Sequence, residues 1–410
     1  MKQMLEQYKQ ELEEELANIL GYWAQHVIDE EQGGFYGKLD NNNIIYKDAP
    51  KGSVLNSRIL WAFSAAYNYT SDKQYLEIAE RAFNYIIEYF IDKEYGGVYW
   101  SIDNKGQPLD TKKQIYALAF ALYGITEYFI STKSGQAKEI ALQLYKAIEQ
   151  YSHDTKRGGY IEALTREWQE IKDLRLSAKD SNEKKSMNTH LHILEAYANL
   201  YRIWPDEGLR KNMQELIHLF LQHIIDADTN HLILFFDDNW QVRSHIVSYG
   251  HDIEAAWLVL EAAEIIGDEE LIIKTKERST KIANATREGL DKDGGLWYEY
   301  EISKQHLVKE KHWWVQAEAM VGFFNAWQIT GEESYLFDSF NNWGFVKNNI
   351  LDKEKGEWVW GIREDYSLMQ GEDKVGIWKC PYHNSRACLE IINRIKSMNT
   401  AAQKAELSFS

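Results

Sequence analysis

Two kinds of helical pattern alternate along this chain. In the first kind apolar residues occur nearly all the way round, as in VLNSRILWAFSAAYNY over residues 54–69; in the second a polar face is present, as in YLEIAERAFNYIIEYF over 75–90. The pairing recurs at 114–129 with 137–151, 187–201 with 209–225, 251–266 with 271–286, and 313–327 with 334–350. The last helical stretch, HNSRACLEIINRI, pairs with the amphipathic N-terminal one, MKQMLEQYKQELEEELANIL. A helix apolar all round is a buried helix, and an amphipathic one covers it.

Between the pairs stands a short turn-plus-aromatic signature. It reads Gly33-Gly34-Phe35-Tyr36, Gly96-Gly97-Val98-Tyr99-Trp100, Gly158-Gly159-Tyr160, Gly294-Gly295-Leu296-Trp297-Tyr298 and Gly356-Glu357-Trp358-Val359-Trp360. Leu234-Phe235-Phe236-Asp237-Asp238 is read as a variant fourth copy without glycine. Each predicts a tight turn into a short strand or hairpin. The spacing of roughly 60–75 residues is that of a repeat. Six buried helices ringed by six covering ones predict an all-α fold, an (α/α)6 barrel with short β-hairpins in the connecting loops. Four prolines and no low-complexity stretch in 410 residues point to one continuous domain, 1–410, without a linker.

The polar exceptions on the buried helices gather near one end of each. They are Asn56, Ser57 and Arg58; Tyr116; Asn188, His190 and His192; His251 and Glu254; His312, Trp313, Trp314 and Glu318; and His383, Asn384 and Arg386, with Trp378 just before the last helix. If the inner helices run the same way, these side chains converge on one mouth of the barrel. His190 and His192, two apart on a helix, point in different directions, so one of them faces the mouth.

Composition sharpens the picture. A net charge of −17, spread along the chain, disfavours nucleic acid and anionic membranes as partners. No apolar run is read as long enough to span a bilayer, and the charged N-terminal stretch lacks a signal-peptide core. Cys380 and Cys388 make neither a disulfide framework nor a zinc motif. The expectation is a cytoplasmic protein. Fifteen tryptophans and twenty-five tyrosines suit either a large aromatic core or a carbohydrate site, where rings lie against the C–H faces of sugars.

Three chemistries fit such a mouth. A metal centre would use His251 and Glu254, which share a helix face, but no compact ligand motif is present. Glycoside hydrolysis needs two carboxyl groups, and Glu254, Glu318 and Asp180 are available. Reversible proton transfer beside a sugar carbonyl calls for several histidines and for a cation, such as Arg58, to stabilise an enediolate.

Five stretches carry a resemblance: 55–61 (LNSRILW), 186–192 (SMNTHLH), 248–254 (SYGHDIE), 313–318 (WWVQAE) and 378–384 (WKCPYHN). In this order and spacing the chain resembles the cellobiose 2-epimerases of the N-acylglucosamine 2-epimerase superfamily, end to end. The resemblance implies an enzyme without metal or cofactor that opens the reducing-end glucose of a β-1,4-linked disaccharide and inverts C2 through a cis-enediol. It further implies His251 and His383 as the acid/base pair and His192 as the histidine at the ring oxygens and carbonyl. Arg58 would sit at the O1/O2 side, with Tyr116 and Asn188 nearby. Glu254 and Glu318 would orient histidines or hydroxyls, and Trp314 and Trp378 would stack on sugar, with Trp313 adjacent and Asp180 in the preceding loop. His312 is read as a surface or supporting residue and His190 as structural. The partner expected is a disaccharide, and nothing demands more than a monomer. An aldose–ketose isomerase acting on mannose, an N-acylglucosamine epimerase, a glycoside hydrolase and a non-catalytic sugar-binding protein are the competing readings.

Overall fold

The computed structural model describes residues 1–408, with side chains through residue 400. Its helices are α1 (Lys2–His26), α2 (Ser53–Thr70), α3 (Lys73–Tyr85), α4 (Ile115–Thr132), α5 (Gly135–Tyr151), α6 (Met187–Ile203), α7 (Glu207–Leu219), α8 (Tyr249–Ile266), α9 (Glu269–Thr286), α10 (Trp313–Thr330), α11 (Glu333–Asn349) and α12 (Tyr382–Ser408). Helices α3 and α7 each end in a wider π-type turn, Ile86–Phe90 and Phe220–Ile224.

The even-numbered helices form the inner ring. Each packs on the next, α2 on α4, α4 on α6, α6 on α8, α8 on α10, α10 on α12, and α12 closes the ring on α2. The odd-numbered helices cover them, with α1 against α12. The inner–outer connections are short, and four of the inner helices stop on left-handed residues: Ser71, Lys133, Gly267 and Gly331. The outer helices then start on side-chain caps from Asp72, Ser134, Asp206 and Asp268. The long loops therefore lie at the other face, where the inner helices begin.

Those loops are stitched to their neighbours. The strand leading into an inner helix pairs antiparallel with the aromatic strand of the following repeat: Lys51 with Ile102, Lys113 with Leu164, Lys185 with Phe236, Val247 with Tyr300 and Lys311 with Ile362. A bridge between Leu39 and Val375 joins the first repeat to the last.

The expected barrel is thus the observed one, with two corrections. The fourth turn is not at 234–238. The equivalents of the bridges Ile91–Val98 and His153–Tyr160 place it at Ile225–Leu232, with Asn230 and His231 where the other copies carry glycines. Asn230 takes the left-handed φ of 61° that its amide side chain tolerates, so glycine is not needed there. The second correction concerns apolar length: Ile115–Thr132 is long and apolar enough to cross a membrane by composition. It is α4 of the inner ring, and its apolar surface is satisfied by neighbouring helices.

A feature absent from the sequence reading recurs in five of the six repeats. The lysine just before the inner helix, or shortly before it in the last repeat, reaches the aspartate that opens the turn: Lys51–Asp29 and Lys113–Asp92 at 2.8 Å, Lys185–Asp154 at 3.0 Å, Lys311–Asp291 at 2.7 Å and Lys374–Asp352 at 2.6 Å. Lys51 also donates to the Gly33 carbonyl at 2.8 Å, so one ammonium ties the turn to the start of α2. Both members of the Lys51–Asp29 pair are 1% exposed. Breaking a buried pair strands a charge, and Lys51→Met is expected to cost about 3–5 kcal/mol in chemical unfolding. A loss below about 1 kcal/mol would show that the pair is dispensable.

Candidate active site

The N-terminal ends of the inner helices surround a cavity of about 460 Å³, within the span of about 300–1,000 Å³ usual for small-molecule sites. Of the twelve residues to which the resemblance gives a place in the site, eleven line it: Arg58, Tyr116, Asp180, Asn188, His192, His251, Glu254, Trp313, Trp314, Trp378 and His383. The helix starts bring aligned N–H dipoles toward this volume, which favours negative charge in it.

Arg58 lies in the first turns of α2 and is 2% exposed. Its Nη2 donates to the Tyr116 hydroxyl at 2.7 Å, and its guanidinium lies 4.1 Å from the Phe120 ring centroid and 4.7 Å from that of Tyr382. Among the described residues no carboxylate pairs with it. Burial works against its charge, but electrostatic attraction to Tyr116, Cys380 and Tyr382 and a hydrogen bond to the Cys380 sulfur hold its pKa above the usual arginine value. Arg58 is therefore a fixed cation without an anionic partner, facing the cavity.

Three histidines face the same volume, each backed differently at Nδ1. His192 Nδ1 lies 2.9 Å from Glu195 Oε2, His251 Nδ1 lies 2.8 Å from the Ser248 hydroxyl, and His383 Nδ1 lies 2.7 Å from Glu318 Oε1. Glu195 stays ionised: burial opposes this, but Arg386 and His192 hold its pKa at about 2. The Glu195 carboxylate thus accepts from His192 Nδ1–H and leaves Nε2 as the acceptor toward the cavity. Burial lowers His251 to about 3, with the nearby His192 adding to the effect. His383 is also held well below the usual histidine value, by burial first and then by the Arg58 and Arg386 cations. All three imidazoles are neutral near pH 7. The Trp314 ring lies 4.7 Å from that of His251 and 5.7 Å from that of His383, a wall joining the two. It can approach because residue 250 is glycine; a Cβ there would stand 2.6 Å from the Trp314 ring.

Glu318 is the exception among the sequence candidates. It does not line the cavity; it lies behind His383, accepting from Trp257 Nε1 at 3.1 Å and from Arg386 Nη2 at 2.6 Å. Arg386 Nη2 also donates to Glu254 at 2.6 Å, and Nη1 donates to Glu195 and Tyr382. The guanidinium is 1% exposed and occupies the space between three carboxylates. Glu254, Glu318 and His383 form a group whose geometry could hold a metal ion, with ligand atoms within 4.8 Å of one another. The Arg386 cation already meets both of its carboxylates.

The readings of two other histidines differ in outcome. His190 is structural, as expected: Nδ1 sits 2.6 Å from the Ser186 carbonyl and Nε2 accepts the Tyr160 N–H at 2.9 Å. His312, expected at the surface or in support, is buried and lines the cavity. It stacks on Tyr298 with centroids 3.9 Å apart and meets Glu310 at 2.9 Å through Nε2. Its place just before α10, where the loop turns down into the barrel, puts it in the wall. Asn56 donates to the Gly52 carbonyl and Asn384 to Glu357, so both serve the scaffold.

Sequence reasoning missed Glu195, Ser248, Tyr298, Trp360 and Glu372. The first two had a signal, since each lies three residues from its histidine on or at the start of the same helix. The others reach the cavity on loops whose path no periodicity reveals.

Comparison with known proteins places these features in context. The profile of the N-acylglucosamine 2-epimerase (GlcNAc 2-epimerase) family matches residues 33–387. A cellobiose 2-epimerase of Bacteroides fragilis is 50% identical over 385 residues, covering 94% of this chain and 98% of the relative. The structure of a cellobiose 2-epimerase from Bacillus thermoamylovorans superposes with a TM-score of 0.90 at 40% identity, over 96% of this chain and 100% of that one. A D-mannose isomerase of Marinomonas mediterranea is 22% identical over 403 residues, 94% of this chain and 97% of the relative.

Proposed function

Because the chain belongs to the N-acylglucosamine 2-epimerase family, we propose that it is a sugar epimerase of the cellobiose 2-epimerase type, inverting C2 of the reducing-end glucose of β-1,4-linked disaccharides. The observation that carries this reading is the pair of neutral histidines, His251 and His383, joined by one tryptophan wall, with the unpaired Arg58 cation across the same cavity. Inversion at a carbon next to a carbonyl needs a proton removed from one face and returned to the other. Both imidazoles are neutral, so one can take a proton at Nε2 while the other holds one there to return.

The steps follow from the geometry. His192 Nε2, with its tautomer set by Glu195, exchanges protons with the anomeric hydroxyl and ring oxygen as the glucose ring opens. One of the facing histidines removes the C2 proton. The enediolate that forms is stabilised by Arg58, by the Tyr116 hydroxyl and by the six helix N-termini. The opposite histidine returns a proton and the ring closes as mannose. Trp314, Trp378, Trp313 and Trp360 offer apolar walls to sugar rings, and Asp180 and Asn188 offer hydroxyl partners. The substrate is a disaccharide, the activity needs no cofactor and the working unit is a monomer.

Incubation with cellobiose or lactose in D₂O, followed by NMR, tests the reading. The expected product is a mannose-ended disaccharide carrying deuterium at C2, with no released monosaccharide. A ketose-ended product would mean aldose–ketose isomerisation, free glucose would mean hydrolysis, and no exchange would mean binding alone. Turnover unchanged after thorough chelation is the expected result for proton transfer by side chains.

The lowered histidine pKa values also set the pH dependence. An unperturbed histidine titrates near 6.5 and would give kcat/KM an acid limb there. With His192, His251 and His383 all shifted down by burial, the acid limb of kcat/KM should lie below the ordinary histidine value of about 6.5. A limb with its midpoint near 6.5 would overturn the neutral assignment.

A further inference from the structure

The two facing histidines are not equivalent. His251 is backed by one hydroxyl, that of Ser248, whereas His383 is backed by a buried cluster of acids. Glu318 Oε1 lies 2.7 Å from His383 Nδ1 and Glu254 Oε1 lies 4.0 Å from it. Both oxygens accept from the same nitrogen, Nη2 of Arg386, and Glu195 takes Nη1. The carboxylates are at most 3% exposed, and one guanidinium serves all three. The groups facing the cluster are Trp257 and Glu254 from α8, His192 and Glu195 from α6, Arg58 from α2, Tyr116 from α4, and Tyr382, His383 and Arg386 from α12. Arg58 is the one other fixed cation among them, and it turns its charge to the cavity.

Resting on the epimerase reading, we propose that Glu254 and Glu318 hold one proton between them, and that Glu318 hands it to His383 Nδ1 as His383 Nε2 gives its own proton to C2. Three ionised carboxylates around one arginine would leave two uncompensated charges in a dry site, and retaining a proton removes one of them. Burial and the neighbouring carboxylates raise the affinity of both glutamates for that proton. The relay explains how a histidine that is neutral at pH 7 acts as an acid. As the C2–H bond forms, the Nε2–H bond breaks; as the Nδ1–H bond forms, the Glu318 O–H bond breaks. The imidazole remains neutral, and the negative charge of the enediolate ends on Glu318 beside Arg386. In the reverse direction Nε2 takes the C2 proton and Nδ1–H returns to Glu318. After product leaves, water at the mouth takes a proton from His251 and restores one to His383 Nε2, and Nδ1–H recharges Glu318. Glu318 touches no substrate atom, so its part is that of a proton-holding partner acting through His383.

Single-turnover rates of unlabelled cellobiose and of its mannose-ended epimer in H₂O/D₂O mixtures provide the test, read in the direction in which His383 returns the proton, because both protons of that step come from solvent and their deuteration makes it the slow one. The wild-type proton inventory should bow downward, as two solvent-derived protons moving together require; a straight line overturns the relay. In E318Q, whose amide keeps hydrogen bonds to Trp257 and His383 but holds no transferable proton, kcat should fall at least about 100-fold and the inventory should straighten. Retained curvature in a folded E318Q would overturn the assignment to Glu318. If that variant does not fold, the wild-type inventory alone decides. Absence of any mannose-ended product from wild-type enzyme would instead defeat the epimerase reading, a result distinct from a straight line.

Discussion

Replacing His383 by alanine is expected to abolish inversion at C2 while leaving the barrel folded. A positioned acid or base contributes about 10²–10⁴-fold, and here the lost group also carries the connection to the acid cluster, so kcat should fall by the upper part of that range. The fold should tolerate the change. Glu318 keeps its bonds from Arg386 Nη2 at 2.6 Å and from Trp257 Nε1 at 3.1 Å, and the vacated space opens onto a cavity that admits water. Because His251 is untouched, the variant should still exchange the C2 proton for solvent deuterium on the face that His251 serves. Exchange without inversion is thus the signature to seek by NMR in D₂O. Full turnover in the variant would remove His383 from the proton-transfer pair.

The second large effect concerns a side chain that never reaches the sugar. Arg386 bonds Glu195, Glu254 and Glu318 and lies between the rings of Trp257 and Tyr382, at 4.9 and 4.3 Å from their centroids. Arg386→Met keeps much of the volume and removes the charge. Breaking one buried pair costs about 3–5 kcal/mol, and with three carboxylates stranded the loss should reach the upper end of that range in urea unfolding. The pH dependence of the loss carries its own sign. Without the guanidinium, the buried carboxylates have native pKa values raised above their unfolded ones. Their protonation then stabilises the native state below the unfolded value, and that stabilisation disappears as pH rises through the native one. The variant should therefore recover stability relative to wild type as pH falls from about 8 to about 5. A pH-independent difference would mean that the arginine acts through packing and not through charge. Activity should be lost in either case, since His192 and His383 are both held by carboxylates that Arg386 fixes.

How far the site was legible in the chain differs from residue to residue. The convergence of Arg58, His192, His251 and His383 followed from their position near the start of equivalent inner helices, because a closed ring of parallel helices brings equivalent positions to one mouth. The separation of His190 from His192 followed from helical geometry alone. Glu318 was read as orienting a histidine or a hydroxyl, and only the packed barrel shows that it meets His383 and not the cavity. Periodicity measures angle around a helix and not which neighbour a side chain meets across the barrel. His312 was misplaced because it precedes its helix, so its direction is set by the pairing of Lys311 and His312 with Ile362 and Gly361. The buried lysine–aspartate ties were overlooked because charged residues in loops read as solvated; only the neighbouring repeat shows that they are enclosed.

By itself the sequence determined the helices, their inner or outer place, their number and the end at which polar residues gather, since these depend on periodicity and repetition within the chain. The tertiary structure alone decided which base each histidine leans on, that Arg386 binds three carboxylates, and that loops carrying Tyr298, Trp360 and Glu372 complete the wall. The physical reason is that these contacts join residues as far apart as Glu195 and Arg386, brought together only when the ring closes. Electrostatics in a dry interior depends on such distances and not on order along the chain.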